Sequence, residues 1–181
     1  MDEQKSQKSG PPPWHVRVTL DEIGETGRHF DLLADAAVRA AVAKIAGLRD
    51  LPRLQASFDV TRRGDDGLHV AGSVSASVGQ TCVVTLEPLA NEIEEMVDVA
   101  FVPRQAPEHP GEETKPEPRD VKWNDPEPLV AGTIDLGALA TEFLILGLDP
   151  YPRMPGAAFA APQEHKPDPG PFAALAKLTK G

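Results

Sequence analysis

The chain has 181 residues, 40% of them hydrophobic, with 19 prolines, one cysteine and a net charge of −10. A lone cysteine excludes an intramolecular disulfide and a cysteine-built zinc cluster. The 5% aromatic content is thin for stacking on single-stranded nucleic acid, and no apolar run reaches the 18–20 or so residues needed to span a bilayer.

Proline stands at about twice its usual share of roughly 5%, and it is clustered. Pro11, Pro12 and Pro13 open the chain, residues 103–128 hold seven and residues 150–171 hold seven more. Only Pro52 and Pro88 lie between Trp14 and Val102. Proline lacks an N–H and restricts its predecessor, so packed elements belong between these blocks. The expected organisation is a disordered lead over 1–13, one α+β domain over 14–152, and a flexible tail over 153–181. Polar residues 1–10, with no apolar stretch after them, predict no secretory leader and a cytoplasmic protein.

In chain order, Val16, Val18 and Leu20 alternate in a short strand over 15–20, and residues 28–33 read as extended. Asp35 is placed to cap a helix running to Ala46, with Val38, Ala41, Val42 and Ile45 on one stripe and Gly47 as the stop. Leu54, Ala56, Phe58 and Val60 alternate with polar residues. After the turn at 63–67, Leu68, Val70, Gly72, Val74, Ala76 and Val78 do the same. That pattern predicts an antiparallel hairpin with one solvated face. Residues 81–86 are β-rich, and Ile93, Val97, Val99 and Phe101 mark a further strand. Residues 104–128 are a proline- and acid-rich excursion with Trp123 as its one large apolar side chain. Asp135 is placed to cap a second helix over 133–148, apolar round most of its circumference through Leu136, Leu139, Ala140, Phe143, Leu144 and Leu146. The fold class is α+β: an antiparallel sheet of four or more strands packed by two helices. In the tail, Phe172, Leu175 and Leu178 share one helical face, as in a docking peptide or a final turn packed at home.

The charge has a direction. Residues 14–53 balance six acids against six bases, whereas residues 80–102 carry Glu87, Glu92, Glu94, Glu95 and Asp98 with no base. An acidic surface repels phosphate, which disfavours direct RNA binding and favours a basic protein partner, of which a ribosomal protein or assembly factor is the example. An RNA face would have to be assembled from Arg17, Arg28, Arg39, Lys44, Arg49, Arg53, Arg62 and Arg63. No catalytic, cofactor-binding or metal site is expected. His15, His29, His69, His109 and His165 are dispersed, and no phosphate-loop or nucleophile-elbow pattern occurs. As a nucleophile Cys82 would need a base and a lowered pKa, which its neighbours Thr81, Val83 and Val84 do not supply.

Three motifs then add function. Cys82-Val-Val-Thr85-Leu86-Glu87-Pro88-Leu89 with its acidic strand, the run from Ile134, Asp135 and Leu136 through Glu142 to Pro150 and Pro152, and the ending from Pro171 through Phe172 and Leu175 to Leu178 occur in this order. Together they resemble the YceD family, the large ribosomal RNA subunit accumulation proteins, over residues 14–178. The resemblance implies a non-enzymatic role in accumulation of 23S ribosomal RNA and in large-subunit assembly. Thr85 stands where the family's second cysteine is usual, and Val84 where a basic residue is. One thiolate cannot hold a structural zinc, so Thr85 is expected to keep the turn without metal. The Glu87–Asp98 run and the Phe172–Leu178 tail are the candidate surfaces for the partner.

Overall fold

A computed structural model describes residues 13–103 and 126–159. The expectations for Trp123, His109, His165 and the Phe172, Leu175 and Leu178 segment lie outside the described residues. The architecture is α+β. Four long or medium strands, β2 (Arg28–Leu33), β3 (Asp50–Arg63), β4 (Gly67–Thr81) and β5 (Pro88–Pro103), form an antiparallel meander, and β6 (Glu127–Leu129) adds to β5 in parallel. A separate two-stranded ladder joins β1 (Arg17–Thr19) to β7 (Thr133–Asp135). Helix α1 (Ala36–Ile45) packs on β3, and α2 (Leu136–Leu146) packs on β4 and β5.

The period-two alternation read from the sequence is the reason the sheet has two different faces. Leu54, Ala56, Phe58 and Val60 on β3, Leu68, Val70, Val74, Ala76 and Val78 on β4, and Ile93 and Val97 on β5 are all buried. They form one core with Trp14, Val18, Ile23, Val42 of α1, and Leu136, Ala140 and Leu144 of α2. Asp35 accepts from the Val38 N–H at 2.8 Å, satisfying a donor that the helix cannot. Gly47 (φ +66°) ends α1, and Leu48 N–H reaches back to the Ala43 carbonyl at 2.9 Å.

Three local expectations are corrected. Residues 82–87 form a tight reversal and not a strand, because Thr81 pairs with Pro88 across the β4–β5 ladder and the six residues between must turn the chain. The cross-turn bonds Cys82 N–H to Glu87 O and Leu86 N–H to Cys82 O, both 2.9 Å, close it. The second helix starts at Leu136, since β-branched Thr133 and Ile134 are drawn into the ladder with β1. Finally, apolar stripes overshoot their contacts. Ile45 lies in the last turn of α1, where the chain leaves the sheet, and is 57% exposed. Leu146, the last residue of α2, is 70% exposed.

Candidate functional site

Two features stand out: the reversal at Cys82 and the sheet face that neither described helix covers. The reversal is pinned to the distant Pro150–Met154 stretch. Val83 N–H donates to Pro152 O at 2.9 Å, and Pro152 is buried. The buried Cys82 Sγ accepts from Thr85 N–H at 3.4 Å and from Met154 N–H at 3.3 Å. Thr85 Oγ1 donates to Met154 Sδ at 3.8 Å, and Glu87 N–H donates to Thr85 Oγ1 at 3.4 Å. Thr85 therefore serves both the turn and the neighbouring segment. When Cys82 ionises, the Thr85 hydroxyl can turn its one proton from Met154 Sδ to the thiolate, and together with the Met154 and Thr85 N–H groups this lowers the Cys82 pKa to about 7. The expectation that nothing near Cys82 lowers this pKa is thus corrected: Thr85, three residues on, contributes most, followed by Met154, 72 positions away.

No base stands beside the thiol among its hydrogen-bond partners, which are N–H and hydroxyl donors. Zinc does not fit these residues either: Cys82 is the one thiolate, and a threonine and a thioether stand beside it. Among the described residues no group of three His, Cys, Asp or Glu side chains is arranged to hold a metal ion. Leu86, adjacent in the motif, takes φ +61° and is 77% exposed. A leucine in the left-handed region costs about 1–2 kcal/mol, offset here by the closure of the reversal.

The second motif is structural at its start. Asp135 caps α2 by accepting from Ala138 N–H at 3.1 Å, and also accepts from Val16 N–H at 2.9 Å. His15 Nδ1 lies 2.6 Å from its other oxygen. Partial burial pushes this carboxyl up, but the hydrogen bonds from His15, Val16 and Ala138 outweigh it and hold the pKa below the ordinary value. Leu136 is buried in the core, whereas Glu142 and Pro150 are exposed.

The face opposite the helices is built by the residues alternating with the core. Successive strands place His29, Asp59, Ala71 and Asp98 in one cross-sheet row, Asp31, Ser57, Ser73 and Met96 in the next, and Leu33, Gln55, Ser75 and Glu94 in a third. Arg53, Ser77 and Glu92 make a fourth. Arg53 donates to Ser75 and Ser77 hydroxyls at 2.9 and 3.3 Å and to Glu92 at 2.7 Å. The Ser77 hydroxyl and Arg53 keep the Glu92 carboxyl below its usual range. His29 lies 2.7 Å from Asp59 and 3.2 Å from Asp31, which raises its pKa. His69 approaches Asp98 at 2.8 Å. The face carries five carboxylates, Asp31, Asp59, Glu92, Glu94 and Asp98, beside Arg53 and, at the hairpin end, Arg63. Both helices lie on the other face.

The acidic run is therefore not one surface. Glu92 and Glu94 point outward, but Glu95 lies on the helix side against Gly147 at the end of α2, and Glu87 sits in the reversal. The eight scattered bases divide: Arg17 is on β1, Arg28 on β2, Arg39 and Lys44 on α1, Arg49 pairs with Asp50, and Arg62 on β3 is spent on the Ile23 and Leu20 carbonyls, while Arg53 and Arg63 share the outward face with the acids.

The sequence profile of the YceD family, described as large ribosomal RNA subunit accumulation protein YceD, matches residues 70–179. The chain belongs to the YceD family. No curated protein and no solved structure gives a significant match. The matched segment begins on β4 and includes the Cys82 reversal, β5 and α2. No described helix is long and apolar enough to cross a membrane.

Proposed function

We propose that this protein is a non-enzymatic factor that supports accumulation of large-subunit ribosomal RNA and acts in the cytoplasm by binding a basic protein of the assembly machinery. Family membership supports the first part. The observation that carries the second is the one-sided cover of the sheet: five carboxylates face outward from the strands, and neither α1 nor α2 lies over them. Carboxylates in that density repel a phosphate backbone, so the surface suits a cationic protein better than an rRNA segment. Cys82 has no catalytic part in this reading. Its thiol closes a turn.

The direct test is deletion in the host followed by measurement of large-subunit against small-subunit rRNA. A falling ratio, restored by the wild-type chain, is expected. Complementation by a Cys82→Ser chain separates a structural thiol from a reactive one, and loss of rescue in a folded, stable variant would reinstate the enzyme alternative. For the partner, affinity recovery from extract is compared for the wild type and for Glu92→Lys/Glu94→Lys. Ribosomal proteins recovered equally by both would remove the acidic face from the account. A salt-dependent affinity for rRNA fragments would replace protein binding with RNA binding.

A further inference from the structure

The outward face is more than a charged plane. At its middle Ser57, Ser73 and Ser75 present short side chains and, with Asp31 and Leu33 of β2 and the longer Gln55 of β3, line a shallow concavity of about 320 Å³ over β2, β3 and β4. Met96 and Glu94 of β5 pair with Ser73 and Ser75 at its edge. Longer side chains rise on either side. Leu33 on β2 is 73% exposed and Met96 on β5 is 74% exposed. Leu33 and Glu94 share a cross-sheet row with Gln55 and Ser75 between them. Three strand spacings at about 4.8 Å set the β2 and β5 backbones roughly 14 Å apart, and between the side chains that rise from them a single extended chain fits.

We infer that this trough is the docking groove for a lysine- and arginine-rich segment of a partner protein, laid along β4 between the β2 and β5 walls. The inference rests on the protein-binding reading above and specifies its partner chemistry and seat. Charge complementarity selects the occupant. Asp31 and Asp59, which share His29, stand toward one side of the floor, and Glu92, Glu94 and Asp98 on the other, with Arg53 on Glu92 and His69 beside Asp98. The carboxylates outnumber the fixed positive charges among them, so cationic side chains reaching both ways from a bound segment meet net negative charge. The serine floor lets the segment's backbone come close, and the stems of lysine and arginine can lie on Leu33 and Met96 while their charged heads reach the acids.

The test uses the full chain and a fluorescein-labelled peptide of alternating lysine, arginine and alanine, read by anisotropy against salt. Binding that weakens with rising salt is expected. Ser73→Trp fills the floor without changing charge and is expected to weaken binding at least about tenfold, or about 1.4 kcal/mol. Glu94→Lys/Asp98→Lys is expected to weaken it further and to flatten the salt dependence. Circular dichroism and thermal midpoints establish that each variant is folded, and Ser73→Tyr serves if Ser73→Trp is not. Peptide binding that is lost in the charge variant but unchanged by a bulky floor overturns the groove and leaves an acidic docking surface. Binding indifferent to both overturns the acidic-face reading itself. If a bulky floor instead breaks a dimer seen by light scattering, the occupant is a second copy and the cationic partner is wrong. Labelled rRNA fragments binding to the same face would also overturn it.

Discussion

On β4, Val70, Val74, Ala76 and Val78 point one way into the core, while Ala71, Ser73, Ser75 and Ser77 point the other way and remain half-exposed. One strand thus serves two surfaces of opposite chemistry. The first is covered by α1 and α2 and stabilises the fold through burial of apolar area, worth about 25 cal/mol per Å². The second is covered by nothing among the described residues, and its polar groups are satisfied sideways, through Arg53, His29 and His69. The contrast teaches where stability and recognition are separated in this protein. Substitutions on one face should be read in denaturation experiments and substitutions on the other in binding experiments.

The largest effect should come from Phe58→Ala on the inner face. Phe58 is fully buried, and its truncation is expected to cost about 3–5 kcal/mol in chemical denaturation. A loss below about 1 kcal/mol would mean the helices do not cover this face as described. Gly72→Ala comes next. Gly72 pairs with Phe58 across β3 and β4, and an added Cβ would collide with the Ser57 carbonyl and lie 2.9 Å from the Phe58 Cα. A cost of about 1–3 kcal/mol is expected, because both neighbouring atoms are backbone.

Asp135→Ala removes the α2 cap and should cost about 1–2 kcal/mol at neutral pH. It also tests a linkage. A carboxyl whose folded pKa is depressed contributes stability that is present above its unfolded pKa of about 3.9 and is lost as pH falls through the folded value. The wild type should therefore lose more stability than Asp135→Ala over that acid window, and parallel curves would refute the cap's charge contribution. Thr85→Val has a smaller effect on folding but a clear spectroscopic one. Without the hydroxyl, the Cys82 thiolate absorbance should titrate nearer the free-cysteine value of about 8.5 than the wild-type value of about 7. An unmoved midpoint would assign the shift to the Met154 and Thr85 N–H groups alone. Smallest of all is Glu94→Gln on the outward face, expected to change stability by no more than about 0.5 kcal/mol. A larger loss would make this face part of the folding core and blur the division.

Most of the inner face was legible in the sequence. Alternation assigns residues to a face wherever a strand is half-buried, and the Leu54–Val60 and Leu68–Val78 patterns did so over many residues. The caps Asp35 and Asp135 were legible for a similar reason: a short acid before an apolar periodic run satisfies local N–H groups, and its partners lie three residues away. The candidate site was less legible. Glu95 sits beside Glu94 in sequence, yet a period of two sends it to the opposite face, toward α2. Cys82 gives no hint that its thiolate is stabilised from Met154. Nothing in the pattern of Leu33 and Met96, which belong to strands far apart in the chain, says that they flank one trough.

The sequence by itself determined the α+β class, the hairpin, the helix caps and the three family motifs, because each depends on neighbours within a few residues or on a repeating period. Tertiary structure alone decided which surface stayed open, how the Pro150–Met154 stretch locks the Cys82 reversal, and where the acids of β2, β3 and β5 converge. Those outcomes depend on register between strands and on which face the helices occupy. Both are set by burial of the whole core and by no local segment.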